Sequence, residues 1–165
     1  MNEIFHRVSI RKFEQRPVEK EKILQILRAG MQAPSTGDQQ PWEFYVVTNR
    51  EKIEALAKSH QYAGCAANAQ VLIVPVFRKE GLWLPQNALI DMSICQENMW
   101  LETDSLGLGG VWLGIAPERD RMDKVAEILE LPDHLDAFSI FVLGYPAEHR
   151  EQKNRFEESR IHYID

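Results

Sequence analysis

Cysteine is scarce: the 165 residues hold only Cys65 and Cys95. Two thiols so far apart give no disulfide framework, no CxxC redox pair and no thiolate metal set, and both read as small buried hydrophobes. No apolar run approaches the roughly 18 residues of a membrane span, and MNEIFHRVSIRKF has no hydrophobic signal segment behind its first charges. The cytoplasm is therefore the expected compartment, without membrane insertion. Positive charge is also in deficit, with 19 Lys and Arg against 25 Asp and Glu and a net charge of −6. That balance argues against nucleic acid or anionic lipid as the main partner, and any anion must be bound by a local cluster.

Familiar catalytic signatures are missing as well. There is no GxSxG, HExxH or GxxxxGK[ST] pattern. His6, His60, His134, His149 and His162 lie far apart without helical metal spacing, so no metal centre is expected. GLGG at 107–110 imitates half of a dinucleotide fingerprint, but it follows a helix and precedes a strand. That is the reverse of the order that aims a helix N-terminus at pyrophosphate. Asp91 and Glu97 share a helix at a spacing that points them to different faces, so they read as helix polar contacts rather than an acid–base pair.

What is present is an ordinary globular content, 44% hydrophobic, sized for a single domain over residues 1–165. EKEKILQILRAGMQ sets Ile23, Ile26, Leu27 and Met31 on one face of an amphipathic helix ending near Ala33-Pro34. WEFYVVT (42–48) reads as a strand, and NREKIEALAKS as a helix capped by Asn49. AQVLIVPVF is a second strand in which Pro75 implies a sheet edge, a bulge or an early end. The long segment PQNALIDMSICQENMWLETDSLG is a helix with Leu89, Met92, Met99, Thr103 and Leu106 on one side and Ile90, Ile94 and Leu101 on another, so it needs two partners. GLGGVWLGI is a helix stop and a short strand. PERDRMDKVAEILEL is a helix with Pro117 in its first turn, and AFSIFVLGYP is the last strand. The tail from Ala147 is polar, with isolated anchors at Phe156, Ile161 and Tyr163, and must lie on something. The elements predict a three-layer α+β domain around a sheet of about four strands.

Two basic stretches have a pattern that could carry chemistry. In RVSIRKF an extended backbone would turn Arg7, Ser9 and Arg11 one way and Val8 and Ile10 the other. Guanidinium forks bind phosphate bidentately, and a hydroxyl or amide completes the shell. Lys153 and Arg155 alternate similarly in EQKNRF. Each set can also be a solvated charged surface, the first balanced by Glu3 and Glu14, and taken alone each is weak. Together they would let the two ends of the chain converge on one dianion.

RVSIRKF, APSTGDQQPWEF, GLGGVWLG, GYP and KNRF followed by IHY resemble, in order and over nearly the whole chain, the successive signatures of the FMN-dependent nitroreductase family. The resemblance implies a mostly antiparallel sheet flanked by helices and a homodimer with FMN in two interfacial grooves. It further implies a C-terminal tail extending onto the partner subunit, and ping-pong electron transfer from NADH or NADPH to a flat acceptor such as a nitroaromatic or quinone. By the same resemblance Arg7, Val8, Ser9 and Arg11, with Lys153 and Arg155, hold the phosphate and ribityl chain. Pro34, Ser35, Thr36 and Asp38 come from the other subunit and lie along the ring, and Trp112, Leu113 and Gly114 supply backbone contacts near N5. The flavin carries the chemistry, so no side chain is expected as an essential acid or base.

Two departures stand out. Relatives usually carry asparagine where this chain has Asp38, whose charge would disfavour an anionic reduced flavin. Only RKEGLWL separates the second strand from the long helix, where larger relatives insert a substrate-covering segment. That implies an open pocket with Trp83 at its rim or packed against the helix start. Other FMN chemistry on the same fold, or FMN storage or sensing without turnover, are the alternative readings.

Overall fold

The computed structural model describes residues 2–164. Five helices and five strands are labelled here in chain order: α1 (Glu3–His6), α2 (Lys20–Met31), β1 (Trp42–Val47), α3 (Arg50–Leu56), β2 (Val71–Arg78), α4 (Ala88–Ser105), β3 (Gly109–Gly114), α5 (Arg119–Leu129), β4 (Leu135–Ala137) and β5 (Ser139–Gly144). The strands run in the order β1-β2-β5-β3, with β4 also pairing β2, and every pairing between them is antiparallel.

Strict alternation along the central strands makes the three layers. Val71, Ile73, Phe141 and Leu143 pack with Ile23 and Ile26 of α2 and with Met99 and Trp100 of α4. Leu72, Val74, Val76, Ile140 and Val142 pack with Ile53 and Leu56 of α3 and Met122 and Val125 of α5. Each of these aliphatic side chains contributes about 1.5–3 kcal/mol when fully buried, which fixes the register, because a one-residue slip would exchange the two faces. The α2–α4 contact is close enough that a Cβ on Gly30 would meet Met99 Cγ at 2.7 Å. The buried stripe of α2 is thus Ile23, Ile26 and Gly30, and Met31, expected on it, is 49% exposed.

Pro75 is neither at an edge nor at a strand end. β2 is central, pairing β5 through Val71–Ile73 and β4 through Val76–Arg78. The Pro75 carbonyl accepts from the Phe138 amide at 3.0 Å, so its donorless nitrogen faces the place where Phe138 divides the neighbouring strand into β4 and β5. The single strand expected over 137–146 is therefore two. The helix expected to start at Pro117 begins at Arg119, after a cis Ala116–Pro117 bond. Asn49 caps α3 as expected, its side chain accepting from the Lys52 amide at 3.0 Å.

Helix α4 stops at Gly107, whose φ of +72° is left-handed. Its first side is buried at Met92, Met99 and Thr103, while on the second Ile90 and Ile94 remain 59% and 36% exposed. The tail likewise buries none of its anchors within the chain: Phe156 and Tyr163 are 70% and 81% exposed. No helix among the described residues is long and apolar enough to cross a membrane.

Candidate functional site

The N-terminal cations are placed by two glycines. Ser9 bridges Gly110 in parallel, and the Ile10 amide donates to the Gly110 carbonyl at 2.9 Å, docking Arg7–Arg11 along β3. A Cβ on Gly109 would meet three Ile10 side-chain atoms within 2.9 Å, so only glycine lets Ile10 seat there. The GLGG motif is a helix stop and a docking groove for this segment. Glu148 fixes its far end, its carboxylate accepting the Arg11 and Lys12 amides at 2.6 and 3.2 Å. The Arg11 amide is the main cause holding the Glu148 carboxyl below the usual carboxylate range, with Arg150 adding to it.

Arg7 is held rather than solvated. Its Nε lies 3.1 Å from Glu97 Oε1, an ion pair without aligned hydrogen-bond geometry, and its guanidinium stacks 4.0 Å from the centre of the Trp100 ring. The balancing charge is thus Glu97, not Glu3 or Glu14. With Glu97 open to solvent on one side, the ion pair adds little stability, about 0–1 kcal/mol, so its effect is orientation. The tail returns to the same place. Gln152 Nε2 donates to the Arg7 carbonyl at 2.6 Å, while its Oε1 accepts from the Lys153 amide and from Arg155 Nη1. Arg7, Val8, Ser9, Arg11, Lys153 and Arg155, with Arg150, therefore line one cavity of about 220 Å³ whose only carboxylate among the described residues is Glu151.

Arg11 also lines a second cavity of about 340 Å³, with Trp112, Leu113 and Gly114 at the end of β3 and with His60, Tyr62 and Arg121. Trp112 is backed by Phe138, their rings 5.3 Å apart. Gly114 is exposed, and nothing stands within 4 Å of where its Cβ would be, so β3 ends in bare backbone open to a planar ligand. Arg121 Nη1 donates to the Gly114 carbonyl at 3.1 Å. Burial, then the Arg121 charge, pushes the His60 pKa down, which keeps the imidazole neutral at pH 7.

The loop at 34–40 is built elsewhere in the chain, against the start of α4. The Thr36 amide and hydroxyl donate to Asp91 Oδ1 at 2.9 and 3.1 Å, and Gln39 Nε2 donates to Asp91 Oδ2 at 2.6 Å. Asn87 Nδ2 donates to the Thr36 hydroxyl at 3.1 Å, so that oxygen is already engaged in both senses. Ser35 Oγ accepts from the Gln40 amide at 3.0 Å and keeps its own proton to give. Gly37, Asp38 and Gln40 all have positive φ, and the Trp83 ring lies over Gly37, 2.3 Å from where a Cβ would sit. Trp83 therefore packs on the loop rather than on the helix start.

Within one chain the structure unites Arg7, Val8, Ser9, Arg11, Lys153 and Arg155, and joins them through Arg11 to Trp112, Leu113 and Gly114. It does not bring Pro34, Ser35, Thr36 or Asp38 to them. Sequence reading missed Gln152, Glu148, Asp91 and the pairing of Glu97 with Arg7. The alternation that singled out Lys153 and Arg155 also turns Gln152 back toward the chain, a usable signal; the rest depend on contacts remote in sequence. Cys95 is buried, its thiol pushed up to about 12 by burial, whereas Cys65 is only half-buried.

The family model described as the nitroreductase family matches residues 4–62 and 58–145. A Methanothermobacter thermautotrophicus protein, provisionally named NADH dehydrogenase/NAD(P)H nitroreductase, is 39% identical over 94% of this chain and 82% of its own. A Clostridium acetobutylicum crystal structure, provisionally named an NADH oxidase, superimposes with a TM-score of 0.95 at 38% identity, covering 99% of both chains. A Desulfovibrio desulfuricans protein, provisionally named a nitroreductase and crystallised with FMN, gives a TM-score of 0.85 at 25% identity, covering 99% of this chain and 95% of that one.

Proposed function

Because the chain belongs to the nitroreductase family, we propose that it is a cytoplasmic FMN-dependent NAD(P)H oxidoreductase, with residues 1–165 forming one FMN-binding domain. The observation that carries this reading is the meeting of Arg7, Ser9 and Arg11 with Lys153 and Arg155 around one cavity in an acidic protein. A cluster of like charges around one cavity suits the binding of an anion.

The residues present fit FMN. The cavity between the termini takes the phosphate and ribityl chain, with Arg7 aimed by Glu97 and Trp100, and Arg155 released from Gln152 to the phosphate. The adjoining cavity takes the ring against the backbone of Trp112, Leu113 and Gly114. Bound there, FMN supplies hydride acceptance from NADH or NADPH at N5 and its delivery to a nitroaromatic or quinone in a ping-pong cycle. Arg11 and Arg121 place positive charge at the ring end, and neutral His60 adds none. No side chain acts as an obligatory acid or base, and solvent supplies the protons.

The loop with Pro34, Ser35, Thr36 and Asp38 reaches the ring from a second subunit. This dimer reading rests on the uncovered Ile90 and Ile94 of α4 and on a depression of about 470 Å³ lined by Ile4, Leu101 and Asn98 on that same side. It rests too on the tail, whose Phe156 and Tyr163 are 70% and 81% exposed among the described residues and would lie on the partner.

The test is to load the purified protein with FMN and follow NADH and NADPH oxidation with 1,4-benzoquinone or a nitroarene. Parallel double-reciprocal lines are expected. Intersecting lines would contradict the ping-pong cycle, and bound FMN that neither nucleotide reduces would instead support storage or sensing.

A further inference from the structure

Trp83 is 73% exposed, yet it is not loosely held. The Leu84 amide donates to Gln39 Oε1 at 3.0 Å and Gln39 Nε2 donates back to the Leu84 carbonyl at 3.2 Å, a two-point clasp beside the indole. Arg78 Nη2 adds bonds to the Gln39 and Gln40 carbonyls at 2.9 and 3.0 Å. Asp91 holds Thr36 and Gln39 from beneath. The indole lies against Gly37, where a left-handed backbone and the closeness of the ring both require glycine.

An aromatic face turned to solvent, seated on a loop whose hydrogen bonds are satisfied, is a means of binding flat ligands. Packing against Gly37 uses part of the ring, and most of its surface remains available.

We propose that Trp83 is the specificity-determining residue for aromatic acceptors, stacking the acceptor over the flavin ring of the partner subunit. This rests on the reading above, in which loop 34–38 lies along that ring, because Trp83 travels with the loop. The class selected is planar, conjugated and uncharged at its stacking face, such as quinones and nitroarenes. An inorganic acceptor such as ferricyanide gains nothing from the indole.

The experiment compares kcat/KM for 1,4-benzoquinone with kcat/KM for ferricyanide in FMN-loaded protein and in Trp83→Ala, Trp83→Phe and Trp83→Leu. Flavin absorbance reports loading in each. The quinone-to-ferricyanide ratio is expected to fall about tenfold in Trp83→Ala, chiefly through KM for quinone. Trp83→Phe should recover most of the ratio. Trp83→Leu, which still covers Gly37 but has no π-face, should not. A ratio unchanged in all three variants, or restored equally by Leu and Phe, would overturn the proposal. Wild-type FMN that NADH and NADPH leave oxidised would instead overturn the functional reading, and this inference with it.

Discussion

Asp91 Oδ1 receives both the amide and the hydroxyl of Thr36, at 2.9 and 3.1 Å, from a carboxylate only 1% exposed. No Lys or Arg is paired with it among the described residues, so hydrogen-bond donors and the start of α4 compensate its charge. The same bonds fold residues 35–40 into a fixed shape.

Asp91→Asn should disturb that shape. Gln39 cannot turn its amide to accept, because Leu84 holds both its oxygen and its nitrogen. The amino group introduced by the substitution would face a donor, or else turn toward Thr36 and lose those bonds. A destabilisation of about 1–3 kcal/mol is expected, readable as a shift in urea midpoint at unchanged m-value. If the loop lies along the flavin, the FMN visible spectrum should change too.

Gly37→Ala is expected to cost about 1–2 kcal/mol for the left-handed backbone, and more as Trp83 is displaced. Thermal unfolding and tryptophan emission of the variant check both parts. An unperturbed emission would show that the ring does not rest on residue 37.

Asp38 already occupies a left-handed conformation, φ +55°, and Asn adopts this at least as readily, so Asp38→Asn leaves the backbone in place. On the proposed reading, in which Asp38 of one subunit lies along the ring of the other, removing its negative charge should raise the two-electron potential of bound FMN by about 30 mV, taking about 1.4 kcal/mol for the interaction. Potentiometric titration against a reference dye measures this, and a fall or no change would place Asp38 away from the flavin.

The Glu148 carboxyl titrates below its ordinary value, chiefly because it accepts the Arg11 amide. Its anchoring of Arg11 and Lys12 is therefore fully present above the ordinary carboxylate range and is lost as pH falls through the lowered pKa. FMN release on acidification, followed by flavin fluorescence, should include a step below the ordinary carboxylate range. Glu148→Gln should lack the step and bind FMN more weakly above it.

The sheet was the most legible part of the sequence, because Val71 to Phe77 and Ile140 to Leu143 are apolar on both faces and α2 and α5 are amphipathic. The alternation of Arg7, Ser9 and Arg11, and of Lys153 and Arg155, was legible for the same reason: direction in an extended chain follows position. What was hidden depends on distance in sequence. Pro75 sits in the sheet centre because Phe138 interrupts its neighbour. Asp91 is buried because Thr36 and Gln39 come to it, and Trp83 finds its seat on Gly37. None of these has a local pattern, since each is decided by which remote segment arrives.

The convergence of the two chain ends on one phosphate is tested most directly by comparing FMN with riboflavin, which lacks that group. Equilibrium fluorescence titration should show FMN binding at least about 100-fold tighter, on two charge-assisted contacts worth about 1.5 kcal/mol or more each. Arg7→Glu and Arg155→Glu should each erase most of that preference; Arg155→Glu should leave the thermal midpoint near wild type, whereas Arg7→Glu, which sets a carboxylate against Glu97 and removes the contact with Trp100, should lower it. Equal affinity for FMN and riboflavin in the wild-type protein, or a preference that survives both reversals, would contradict it.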